Sequence, residues 1–136
     1  MSIASIQSAL AQAFQDGAFN LPTVYENTDG YESQTDTAWC EYLFIPNEAE
    51  PVTLGDTGED EFTGVVRILL NYPLNSGIGE TLEKADELKA YFKPGRDFTY
   101  NGQAVQVTRS SVDRGSNQNG FYQSPFTISW RATAQR

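Results

Sequence analysis

Phe98-Thr99-Tyr100-Asn101-Gly102-Gln103 is the stretch that decides the architecture. Asn-Gly suits a two-residue turn in which both central residues need positive φ, and the twist of that turn matches the twist of paired strands. The stretch therefore predicts a tight antiparallel hairpin. On its return strand Val105 and Val107 point inward, while Gln106 and Thr108 point outward. Downstream, residues 113–120 (Asp-Arg-Gly-Ser-Asn-Gln-Asn-Gly) read as a polar loop. A last strand then alternates cleanly, with Phe126, Ile128, Trp130 and Ala132 against Thr127, Ser129, Arg131 and Thr133.

Upstream of the hairpin, Ile78, Leu82, Ala85, Leu88 and Phe92 form one helical stripe. Acids (Glu80, Glu83, Asp86, Glu87) crowd its early turns and Lys89 and Lys93 sit late, as the helix dipole favours. Pro94-Gly95 ends it. Before it, Gly64 leads into a strand with Val66, Ile68, Leu70 and Tyr72 on one face and Arg67 and Asn71 on the other. Residues 46–61 read as an acidic loop ending in Glu59-Asp60-Glu61. Residues 37–45 read as a strand with Trp39, Leu43 and Ile45 on one face and Cys40, Tyr42 and Phe44 on the other. Both faces are mostly apolar, so both are expected to meet protein. Residues 20–36 form a long polar connection, and residues 3–16 an amphipathic helix through Ile3, Ile6, Leu10, Ala13 and Phe14. The order is helix, two strands, helix, three strands, with no βαβ repeat. It predicts an α+β fold over residues 1–136: a mainly antiparallel sheet of about five strands with two helices packed on one face.

The chemistry-bearing residues are sparse. There is no histidine, which removes the commonest general base and the usual Ser-His and Cys-His pairs. One cysteine, Cys40, lies in an apolar run, where a small buried hydrophobe is expected and no intramolecular disulfide is possible. No phosphate-binding glycine loop is present, and the acids after Gly77-Ile78-Gly79 would repel phosphate. The expectation is a protein with no catalytic residue, no cofactor and no metal. Asp56, Glu59, Asp60 and Glu61 have two readings, a solvated loop or a hard-cation site, although their spacing does not match an EF-hand. The chain lacks a charged leader and an apolar stretch of membrane-spanning length, so neither secretion by that route nor membrane insertion is expected.

The net charge is −9, so the surface repels a phosphate backbone at a distance. The charge is also uneven. Residues 1–66 carry twelve acids and no base, a balance of −12; residues 67–136 carry nine bases against six acids, a balance of +3. An acidic solvated surface accounts for this. So does a head-to-tail oligomer in which unlike patches of neighbouring copies meet, since such heterologous contacts close into rings when the rotation allows. Arg109 and Arg114 flank a polar loop, with Arg96 near in sequence, as scattered solvated charges or as a small patch for an acidic neighbour. Tyr25, Tyr31 and Trp39 fit core, interface or a ligand surface.

Several features recur together: a short amphipathic helix followed by Leu21-Pro22-Thr23-Val24-Tyr25-Glu26-Asn27, then Trp39, Leu54-Gly55 with Gly58, and Gly64; then Tyr72-Pro73 with Gly77 and Gly79 ahead of a helix closed by Phe92; and finally Trp130. In this ordered set, which spans nearly the whole chain, the sequence resembles the phage tail terminator-like family, the group of the lambda-type minor tail protein U. The resemblance implies a structural subunit of a homo-oligomeric ring, typically a hexamer, at the head-proximal end of the virion tail after assembly in the host cytoplasm. Such a ring docks on the tail-tube protein, stops its polymerisation and presents a surface to head-completion or connector proteins. DNA passes through its lumen without specific binding. Another head–tail connector or tail-tube-like protein is the alternative, and a small ligand-binding module a more distant one. The residues expected at subunit or tube contacts are Glu59, Asp60, Glu61, Tyr25, Glu26, Asn27, Arg67, Arg109 and Arg114.

Overall fold

The computed structural model describes residues 3–26, 37–47, 49–51, 55, 58–75, 77–118 and 120–135. Helix α1 spans Ile3–Asp16 and helix α2 spans Gly79–Tyr91. The strands are β1 (Thr23–Tyr25), β2 (Trp39–Pro46), β3 (Glu50–Pro51), β4 (Glu59–Pro73), β5 (Asp97–Tyr100), β6 (Gln103–Val112), β7 (Ser116–Gln118) and β8 (Phe121–Gln135). They form one sheet in the order β1-β2-β4-β8-β6-β5, with β3 on β4 and β7 on β8. The class is α+β, as expected. The sheet is larger than expected, with eight strands among the described residues instead of about five. It is also mixed, because β1 runs parallel to β2.

The differences trace to pairing rather than to local propensity. Strand β4 is fifteen residues long and pairs along its whole length with β8, from Glu59↔Gln135 to Pro73↔Phe121. Glu59-Asp60-Glu61 therefore lies in a strand, not at a loop tip. Short β3 adds to the same segment, with Glu50 opposite Glu61. The polar loop at 113–120 contains β7, zipped onto the start of β8, and the connection at 20–36 contains β1. None of these three short strands has an alternating apolar pattern; a long neighbour supplies their hydrogen bonds.

The hairpin forms as the sequence predicts. Asn101 and Gly102 have φ of 49° and 81°, and Tyr100 pairs with Gln103. One face of the sheet holds Cys40, Tyr42, Val66, Ile68, Leu70, Val105, Val107, Phe126, Ile128 and Trp130, all buried. Buried residues of α1 (Ile6, Ala9, Leu10, Ala13, Phe14) and α2 (Ala85, Leu88) join them, with Phe92, in one core. The α2 stripe is rotated from the predicted one. Thr81, Ala85, Leu88 and Phe92 are buried, whereas Ile78 and Leu82 are 54% and 44% exposed. Lys84 ties the helices together, donating to the Phe19 carbonyl at 2.6 Å and pairing with Glu87 at 3.0 Å.

Two core contacts set the shape of the sheet. The Phe44 and Trp130 rings stack with centroids 5.4 Å apart and planes 9° apart. The Trp130 indole crosses Gly64: a Cβ there would sit 2.7 Å from Trp130 Cζ2 and 2.6 Å from the Ile45 carbonyl oxygen. Gly64 is needed for this close approach and not for its backbone angles.

Tyr72 closes the core below α2. Burial, then the carboxylates of Glu80 and Glu87, push its phenol up to about 12 from the usual 10.0. The folded form thus holds this proton more tightly than the unfolded chain does. The resulting stabilisation is intact below pH 10 and is lost as pH rises toward 12. Burial drives Tyr42 and Cys40 the same way. The melting temperature should fall steadily between pH 10 and 12, and less steeply in Tyr72→Phe. An equally steep fall in that variant would contradict this.

Candidate assembly surfaces

The second face of the sheet is divided. Near the β7 end it is covered. Trp39 packs edge-on against Phe121 with centroids 6.0 Å apart, and Asn71, predicted to point outward, is buried beneath them. Gln123 Nε2 donates to Asn71 Oδ1 at 2.9 Å, and Asn71 Nδ2 donates to the Leu69 carbonyl at 3.1 Å. Toward the other end the described residues leave the face open. There Leu43, Val65, Thr127, Ser129 and Ser111 are only half-buried, and Ile45 is exposed.

Three arginines stand on this open face. Arg67 (β4) lies opposite Thr127, Arg109 (β6) opposite Ser129, and Arg131 (β8) opposite Gln106; all three are exposed. Strand spacing and the two-residue repeat put Arg109 ~8 Å from Arg131 and ~12 Å from Arg67. Arg131 Nε donates to Gln106 Oε1 at 2.9 Å. Arg67 and Arg109 have no ion pair among the described residues. Arg109 reaches this face only because the register shifts between Val107 and Arg109. Simple alternation after Val105 and Val107 would aim it at the core, and a bulge re-aims it. The sequence placed Arg131 outward but gave no reason to group it with the other two, because their proximity depends on strand order.

The remaining predicted contact residues are scattered. Glu59 and Glu61 face the arginine side at the far end of β4, and Asp60 alternates to the other face, opposite Ala134. With such alternation the three carboxylates cannot converge on one cation, and no group of three potential ligands occurs among the described residues. Asp56 lies outside them. A depression of about 430 Å³, open to solvent, is lined by Glu61, Asp97, Gln106, Arg131 and Thr133 among others. Tyr25 packs against Tyr42 with centroids 5.4 Å apart and ring planes tilted by 50°. Glu26 accepts a hydrogen bond from the Phe44 main-chain N–H. Asn27 and Tyr31 lie outside the described residues. Arg114 is exposed between β6 and β7 and not on the sheet.

Arg96 does not join the patch. Its guanidinium lies over Tyr91 and Phe98, 4.4 and 4.8 Å from the ring centroids, and donates to the Tyr91 carbonyl at 2.9 Å. It clamps the end of α2 to β5. Arg96→Ala should therefore lower stability by about 2 kcal/mol, read as a shifted denaturant midpoint. An unchanged midpoint would show the clamp to be idle.

Cys40 is fully buried, with its sulfur 3.3 Å from Thr23 Oγ1, and burial raises its thiol pKa, so it stays protonated and unreactive. What the surface offers is an open, arginine-bearing sheet face on an acidic protein. A family model described as phage tail terminator protein matches residues 5–130. The chain belongs to the phage tail terminator family. That family is structural, and membership assigns the protein to the virion tail, among other tail components. No helix among the described residues is long and apolar enough to cross a membrane. No curated protein matches the chain. One solved structure superposes with a TM-score of 0.77 at 19% identity, covering 97% of this tail terminator family member and 96% of its own chain, a likeness of fold alone.

Proposed function

We propose that the chain ends the tail tube. Copies close into a ring, six by analogy with the family, which docks on the last ring of tail-tube protein and blocks further addition. The opposite side of the ring then meets the head-completion proteins, and DNA passes through the lumen without specific binding.

The family match over residues 5–130 carries this reading. Two physical features support it. The open sheet face concentrates Arg67, Arg109 and Arg131 on a chain of net charge −9, and an acidic neighbouring surface complements it. The acids Glu41 and Glu50 lie toward the β2–β3 side of the sheet, away from β6 and its Arg109, whereas Glu61 shares a depression with Gln106 and Arg131. Unlike charge at the β2–β3 and β6 flanks favours head-to-tail contacts.

Electron microscopy of the purified protein, alone and with tail-tube subunits, tests the reading. Rings, and tubes whose growth stops when the protein is added, are expected. Unhindered tube growth with only single subunits in the background would sink it.

A further inference from the structure

Among the described residues the sheet has two incomplete edges, one at each flank. Strand β2 pairs with β4 along its whole length, but on its other side β1 reaches only Cys40–Tyr42. Among the described residues Leu43–Pro46 is therefore an edge. The Cys40 N–H points to that side, bonding the Pro22 carbonyl, so by alternation the Phe44 N–H points there too. Its acceptor is the Glu26 carboxylate, and Pro46 has no N–H to offer. A charged side chain and a proline on an edge keep stray strands from adding to it.

At the opposite flank β6 pairs with β8 up to Val112. Its other side is covered by β5 and by the Gly95 and Arg96 bonds to Val107, and by no strand beyond that among the described residues. After the bulge, the groups turned outward are those of Ser110 and Val112; the Asp113 N–H bonds inward to the Pro125 carbonyl, consistent with this alternation. Each edge exposes one large apolar side chain, Ile45 at 39% and Val112 at 36%. The β2 edge carries Glu26, whereas the β6 edge carries Arg109 and is followed by Asp113 and Arg114.

We infer that these edges are the two halves of one contact between copies: the Ser110–Val112 edge of one copy adds to the Leu43–Pro46 edge of the next, displacing Glu26 from the Phe44 N–H. The inference rests on the ring reading above. Within a copy β2 and β6 run in opposite directions, since β2, β4, β8 and β6 are successively antiparallel. A copy rotated about an axis along the strands therefore brings its β6 antiparallel to its neighbour's β2. The contact is heterologous, and every copy supplies one edge of each kind. In a lone subunit the Glu26 carboxylate holds the edge shut.

Sedimentation of the full chain and hydrogen exchange of its assemblies with tail-tube subunits test this. Glu26→Ala should bring self-association at a roughly tenfold lower concentration, while Glu26→Gln, which keeps an acceptor, should stay near the parent. Val112→Pro removes an edge donor and should suppress association in both backgrounds, with its melting temperature kept near the parent's. In assembled particles the Ser110 and Val112 amides should become protected. Rings that persist in Val112→Pro, with those amides exchanging as in the lone subunit, would overturn the edge contact and leave the ring standing. No particles from any variant would overturn both. Should Glu26→Ala lower the melting temperature, Val112→Pro and the exchange pattern decide alone.

Discussion

Gly64→Val should cost about 3 kcal/mol, a large part of the ~5–15 kcal/mol that holds a domain together. The new side chain has no space. Its Cβ alone would stand 2.6 Å from the Ile45 carbonyl oxygen, 2.7 Å from Trp130 Cζ2 and 2.9 Å from the Pro46 Cα. Two of those three atoms are backbone of the adjacent strand and cannot swing aside. For a chain of this length the loss corresponds to a fall in melting temperature of roughly 10 °C, measurable by calorimetry. Shortening Trp130 to Leu in the same chain relieves one clash of three and destroys the Phe44 stack. The double variant should therefore be no more stable than Gly64→Val. If it regains the parent melting temperature, the Ile45 and Pro46 contacts are not what makes glycine obligatory.

Reversing Arg67, Arg109 and Arg131 together to Glu should reduce incorporation into tails by roughly 100-fold or more, since like charges brought face to face cost several kcal/mol. All three are exposed, and among the described residues their one side-chain hydrogen bond is that of Arg131 to Gln106. Stability should hence stay near the parent's. The measurement is twofold: the melting temperature, and the fraction of finished tails in a complementation assay. Normal tails from a folded triple variant would remove the open sheet face from the list of contacts. The contrast with Arg96 is informative, since its charge lies over Tyr91 and Phe98. Replacing it should disturb the fold first and assembly only as a consequence.

The sequence alone determined the parts whose cause is local. Asn101-Gly102 determined a hairpin, because few residues other than these tolerate two successive positive φ angles. Period-two alternation from Phe126 to Ala132 assigned the buried face of β8 correctly, and helical spacing bounded α1 at residues 3 and 16. The missing histidine and the single buried cysteine were legible by inspection, and the ordered glycines, prolines and tryptophans carried the family. Tertiary structure decided everything that depends on a neighbour. β1, β3 and β7 are strands only because β2, β4 and β8 offer them hydrogen bonds. The rotation of α2, which buries Thr81 and exposes Leu82, follows from where the sheet lies beneath it. The arginine face exists because a bulge at Thr108 and the order β4-β8-β6 bring together residues 67, 109 and 131. Periodicity records which way a side chain points along its own strand, but strand order and register are set by pairing energies between segments far apart in the chain, and no window of sequence contains those.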